Sequence, residues 1–185
     1  MTKPSVVLGA FLLSTQLCVA QNPPTPVPPA AKQSSSTIDC NWLTVDTTAK
    51  TATFLLTAGL TQLNGGLNFN GFNDGKLMLT VPTNWTVVIR FTNKDPNLPH
   101  SAEVVDTAKP MPAGPVEPPA LPRAETRRLM QGLGAGEADS MQFVATKPGA
   151  YMIFCGVPGH GLAGMWVRFK VSATDKRPTL TTTSS

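Results

Sequence analysis

Between residues 51 and 171 the apolar side chains recur at every second position in short runs, and this alternation constrains the fold more than any other feature. Trp85, Val87, Ile89 and Phe91 share one face of a run over 85–92. Met165, Val167, Phe169 and Val171 share one face of another over 165–171, with Arg168 and Lys170 pointing away. Such alternation belongs to strands buried on one side only. Further strands are expected over 51–58, 76–81, 101–106, 140–145 and 149–155. Asn64-Gly65-Gly66, Asn73-Asp74-Gly75 and Lys147-Pro148-Gly149 supply turns between them. Helical periodicity is nearly absent, so the expected fold is all-β, a two-sheet antiparallel sandwich.

At 185 residues the chain has room for one such domain and its tails. Residues 1–20 have the pattern of a secretory leader: Lys3, an apolar run over 6–13, and the small-residue site Cys18-Val19-Ala20. Ser14, Thr15 and Gln16 interrupt the roughly 20 apolar residues a membrane span needs, so cleavage is expected and a retained tether is the weaker reading. Gln16 and Leu17 do not suit lipid attachment at Cys18. Export to a periplasmic or other extracytoplasmic space follows. Residues 21–37, with prolines at 23, 24, 26, 28 and 29 and then Ser34-Ser35-Ser36, are expected to form a disordered tether. The folded domain is placed at 38–173 and an unstructured Thr- and Ser-rich tail at 174–185. Six prolines between 110 and 122 make 107–139 a long loop, with one short helix expected around 125–131. Without Lys3 the charge is 14 basic against 11 acidic residues, a net of +3 scattered along the chain. That excludes the basic stripe of a nucleic-acid binder.

The chemistry is concentrated in Cys155-Gly156-Val157-Pro158-Gly159-His160-Gly161-Leu162-Ala163-Gly164-Met165. A thiol, an imidazole and a thioether stand at equal spacings of five in a Gly- and Pro-punctuated loop joining two strands. Copper that cycles between two oxidation states takes one thiolate and two imidazoles, with a weak thioether on the axis. The second imidazole has one source, His100 in Leu98-Pro99-His100-Ser101, because the chain holds two histidines.

This Cys-x4-His-x4-Met loop resembles the ligand loop of the cupredoxins, with the spacing of rusticyanin and sulfocyanin. The upstream residues Asn68-Phe69-Asn70-Gly71, Gly75, Val81-Pro82, Trp85, Phe91-Thr92-Asn93 and Pro99-His100 resemble the sulfocyanin pattern over roughly 67–171. The resemblance implies a Greek-key cupredoxin sandwich and one type 1 copper ion held by His100, Cys155, His160 and, axially, Met165. Many cupredoxins carry Asn after the first histidine to tie the ligand loops together; here Ser101 must do so with a hydroxyl. A binuclear centre needs a second cysteine four positions on, where Gly159 stands. Phe154, Leu162 and Trp166 are expected in the apolar surroundings of the site.

Competing readings are weaker. Cys40 and Cys155 are the two cysteines beyond the leader and would form a disulfide by simple arithmetic, but a disulfide leaves the placing of His160 and Met165 without cause. Cys40, beside Trp42, is expected to be buried as a small hydrophobe. Zinc shares Cys and His ligands but rarely takes a thioether. A copper enzyme needs further histidines for a second copper site, and none remain. Copper delivery favours exposed Met- and His-rich tracts, which the chain lacks. The expected function is that of a monomeric electron carrier in a respiratory chain, with no bound substrate. A c-type cytochrome or terminal oxidase is expected to dock on Leu98, Pro99, Val157, Pro158, Leu162 and Ala163 around His160. Delivery of copper, or donation of electrons to a copper enzyme, is the alternative.

Overall fold

The computed structural model describes residues 37–107 and 110–183, all within one compact unit spanning 33–185. The leader over 1–20 and the tether up to residue 36 lie outside the described residues. The strands are β1 (Leu43–Asp46), β2 (Thr51–Ala58), β3 (Leu77–Pro82), β4 (Thr86–Asn93), β5 (Glu103–Asp106), β6 (Ala138–Val144), β7 (Gly149–Phe154), β8 (Trp166–Ser172) and β9 (Thr179–Thr182). They form two sheets, one ordered β1-β2-β4-β6 and the other β5-β7-β8-β3-β9. The expected β-sandwich is present, but the sheets are mixed and not purely antiparallel: β2 pairs with β4 and β3 with β8 in parallel. The connectivity causes this. The chain crosses from β2 into the second sheet as β3 and returns as β4, so β4 arrives beside β2 in the same direction.

Period-two alternation places the core. Ala52, Phe54, Leu56 and Ala58 on β2 and Val87, Ile89 and Phe91 on β4 face Leu77, Leu79 and Val81 on β3 and Val167, Phe169 and Val171 on β8, and all are buried. Phe143 meets Phe169 across the sheets edge-to-face, with ring centroids 5.9 Å apart, a pairing that contributes about 1 kcal/mol beyond its buried area. The same alternation carries inward-facing positions past the strand ends: Cys155 continues Tyr151 and Ile153, Met165 precedes Val167, and His100 precedes Ala102 and Val104.

Two expectations fail for physical reasons. Residues 179–182, read as tail, form β9 along the free edge of β3, with Leu180 beside Leu79. Threonine has strong strand propensity, and an apolar edge such as β3 invites pairing. No helix forms around 125–131; among the described residues the only helical turns are 3-10 turns at Cys40–Trp42 and Leu63–Gly66. Backbone groups that a helix would need are taken instead by the exposed edge at β5: Thr126 N–H donates to Ala102, and Val104 N–H to Ala124. The Pro-rich stretch lies over the outer face, where Met111 and Val116 pack against Val105, Met152 and Phe154.

Candidate metal centre

Three of the four expected ligands converge. Ligand atoms of His100, Cys155 and His160 all lie within 4.8 Å of one another. Cys155 Sγ is 3.6 Å from Nδ1 of His160, and the two imidazole centroids are 5.1 Å apart. The fourth, Met165, is fully buried in the same core, and its backbone joins the others: its N–H donates to His160 O, and Cys155 N–H donates to Met165 O. Gly159 (φ 83°) and Gly164 (φ 90°) supply the left-handed conformations that fold this loop back on itself. No bulge of side chain fits inside the loop either, since a Cβ on Gly161 would enter the Phe154 ring.

Ser101 ties the loops together in place of asparagine. Its hydroxyl donates to Leu129 O (2.8 Å) and accepts from Gly156 N–H (3.1 Å), while its own N–H points at Cys155 Sγ (3.5 Å). His100 is fixed through its backbone, which exchanges two hydrogen bonds with Leu133. That exchange requires Gly132 at φ 71°, where a Cβ would lie 2.8 Å from His100 N. The upstream asparagines act as buttresses: Asn93 Nδ2 donates to Leu98 O and Leu133 O, and Asn64 Nδ2 donates to Ala163 O in the Cys155 loop.

The electrostatics leave the donors neutral. Burial holds His100 below its ordinary value, with Asp95 opposing, and burial with repulsion from His100 pushes His160 down to about 4. Burial pushes the Cys155 thiol up to about 11, against the N–H groups of Ser101 and Val157. Two bare imidazoles and a thiol that yields its proton only to a cation are the donors a thiophilic metal takes up with proton release. Nδ1 of His100 is buried without a hydrogen-bond partner, the mark of a nitrogen reserved for a ligand bond. The residues present fit a type 1 copper ion.

Around His160, which is half-buried, Leu162 is 56% exposed, Pro158 and Ala163 are exposed, and Leu98, Pro99 and Val157 are half-buried. Of the expected apolar surroundings, Phe154 and Trp166 belong to the cluster under the Pro-rich stretch, and the Phe154 ring also lies against Gly161 of the ligand loop. Phe154 precedes Cys155 in its strand and so faces the opposite side. Cys40 is exposed, not buried, and among the described residues Cys40 and Cys155 are both free. Two residues that carry weight here, Asp95 and Glu103, were not singled out in the sequence. Asp95-Pro96-Asn97 does carry the signature of an Asx turn, and Asp95 accepts from the N–H groups of Asn97 and Leu98.

The family model described as the Sulfocyanin (SoxE) domain matches residues 39–182. A curated sulfocyanin from Sulfolobus acidocaldarius is 29% identical over 108 residues, which is 54% of this chain and 52% of that protein, so the match spans about half of the relative's length. Among solved structures, the copper protein rusticyanin aligns with a TM-score of 0.50 at 20% identity, over 71% of this chain and 89% of that one. A methionine-to-glutamine mutant of rusticyanin aligns with a TM-score of 0.51 at 23% identity, over 66% and 78%. At these identities the structural likeness speaks for the fold, a cupredoxin sandwich.

Proposed function

The chain belongs to the sulfocyanin family of cupredoxins, and from that premise we propose that it is an exported, mononuclear blue-copper electron carrier and not an enzyme. The carrying observation is the convergence of the buried His100 and Cys155 and the half-buried His160 within 4.8 Å. His100, Cys155 and His160 would hold the ion as its strong ligands and Met165 as the weak axial one. Copper so bound supplies a one-electron couple. The chain's own part is to hold its ligands still: Ser101 pins the Cys155 loop, and Leu133 pins His100, so that one geometry serves both oxidation states. The leader and the tether over 21–37 would deliver and space a domain of about 38–183 on the far side of a membrane.

The test is a visible spectrum after addition of Cu(II), followed by repeated reduction and reoxidation. An intense band that survives many cycles is expected, whereas a copper-delivery protein would lose its metal to a chelator on reduction. The axial role of Met165 is read by voltammetry. Met165→Gln lowers the reduction potential and Met165→Leu raises it, each by about 59 mV or more, the span of a tenfold change in a one-electron equilibrium. No shift in either variant removes Met165 from the axial position.

The exposed apolar rim around His160 supports docking of a redox partner such as a c-type cytochrome or terminal oxidase. Transient electron-transfer encounters need little area, and contiguous apolar patches on monomers are often functional. Leu162→Glu is expected to leave the spectrum and potential unchanged while slowing reduction by such a partner by about tenfold, the effect of ~1.4 kcal/mol in encounter stability. Stopped-flow rates at matched driving force decide it, and equal rates would place the docking surface elsewhere.

A further inference from the structure

A buried carboxylate stands behind the first histidine. Asp95 is 4% exposed, and its Oδ2 lies 3.3 Å from Nε2 of His100. We infer that Asp95 is a positioning residue that locks His100 in the tautomer with Nδ1 free for the metal and, through its negative charge, lowers the reduction potential of the site. The inference rests on the copper reading above.

A carboxylate only accepts hydrogen bonds, so the ring proton of His100 sits on Nε2 and Nδ1 is bare. That agrees with Nδ1 being buried and partnerless. Asp95 is itself tightly placed. Asn93 Oδ1 accepts from its N–H (2.8 Å), and its Oδ1 accepts from Asn97 N–H (2.9 Å) and Leu98 N–H (3.0 Å), which leaves Oδ2 for the imidazole. Two glycines close over it: a Cβ on Gly59 (φ 61°) would sit 2.5 Å from Asp95 Cβ, and one on Gly66 (φ 89°) would run into Oδ2. With two backbone N–H groups on Oδ1 and the imidazole on Oδ2, both oxygens are placed as acceptors, the surroundings of a carboxylate.

Among the described residues no lysine or arginine forms an ion pair with Asp95. An anion hydrogen-bonded to the far nitrogen of a ligating imidazole raises that ligand's basicity and orients the ring. Greater basicity stabilises the higher oxidation state. Placing a full charge in a site of low dielectric makes the effect larger than a carbonyl or amide in the same place would give.

Asp95→Asn keeps the side chain's volume and an oxygen for the Asn97 and Leu98 N–H groups, but sets an amide NH2 against Nε2 of His100, so it removes the charge and the acceptor together. Two measurements test the inference. Long-range proton–nitrogen NMR on the metal-free wild type at neutral pH should show the His100 proton on Nε2; a proton on Nδ1 overturns the positioning role. Voltammetry on the copper-loaded variant should show the blue band retained and the one-electron equilibrium shifted at least tenfold toward reduction, about 59 mV upward. A potential that is unchanged or lower overturns the charge effect. The NMR arm needs no metal, so it decides the Asp95–His100 pairing even where the wild type stays colourless with Cu(II), a result that defeats the copper reading alone.

Discussion

Cys155→Ser is expected to abolish the intense visible band of the Cu(II) protein, and Cys40→Ser to leave it intact. The band is charge transfer from a thiolate to the metal, so it requires a sulfur in direct contact with copper. Cys155 is the buried cysteine, set 3.6 Å from Nδ1 of one histidine and within 4.8 Å of the other. Cys40 is exposed and free, on a 3-10 turn before β1. A serine hydroxyl at 155 offers a hard, poorly acidic oxygen where a soft anion is needed, which removes the band and weakens Cu(I) binding more than Cu(II) binding. Absorption spectra of the two variants, titrated with Cu(II) side by side, carry the comparison. Colour retained in Cys155→Ser, or lost in Cys40→Ser, means that the sulfur ligand has been assigned wrongly.

Much of this site is legible in the sequence because two periodicities coincide. Tyr151, Ile153 and Cys155 continue one inward-facing row, and Met165, Val167 and Phe169 another, so alternation alone turns the sulfur of Cys155 and the side chain of Met165 into the sandwich. The spacing of five then brings His160 back over them, and scarcity of histidine nominates His100. What is not legible depends on packing that alternation does not encode. Asp95 owes its place to Gly59 and Gly66, distant in the chain, where any side chain would run into it. β9 is made by the need to cover an edge of β3, a need that exists only once the sheet has formed. The expected short helix gave way to the same kind of need, at the edge beside β5.

Glu103 shows packing of the same sort, and its replacement should change stability in a pH-dependent way. On β5 it alternates with the inward Ala102 and Val104, so it occupies an outer-face position where a carboxylate would ordinarily meet water. The Pro-rich stretch covers that face, and Glu103 is completely buried, both oxygens reaching the single N–H of Val116 at 3.1 and 3.2 Å. Burial, reinforced by the nearby Glu125 and Glu117 and only partly offset by Val116, pushes its carboxyl up to about 7 from 4.5. A carboxyl with a raised folded-state value binds its proton more tightly when folded than when unfolded. Its favourable contribution is complete below pH 4.5 and is lost as the pH rises to about 7, a total of about 3 kcal/mol at 1.36 kcal/mol per pH unit. The buried histidines act in the opposite sense: His160, held at about 4, favours folding increasingly as the pH climbs toward 6.5, so the wild-type profile partly conceals the effect. The difference between Glu103→Gln and wild type isolates it, because the histidine contribution is common to both. Glutamine keeps an oxygen for Val116 and carries no charge. The variant should therefore match wild type near pH 4 and gain progressively to about 3 kcal/mol by pH 8, on the order of 10 °C in melting temperature. Thermal unfolding followed by circular dichroism at half-unit steps of pH measures that difference, and one that stays constant from pH 4 to 8 would show that Glu103 does not change protonation on folding.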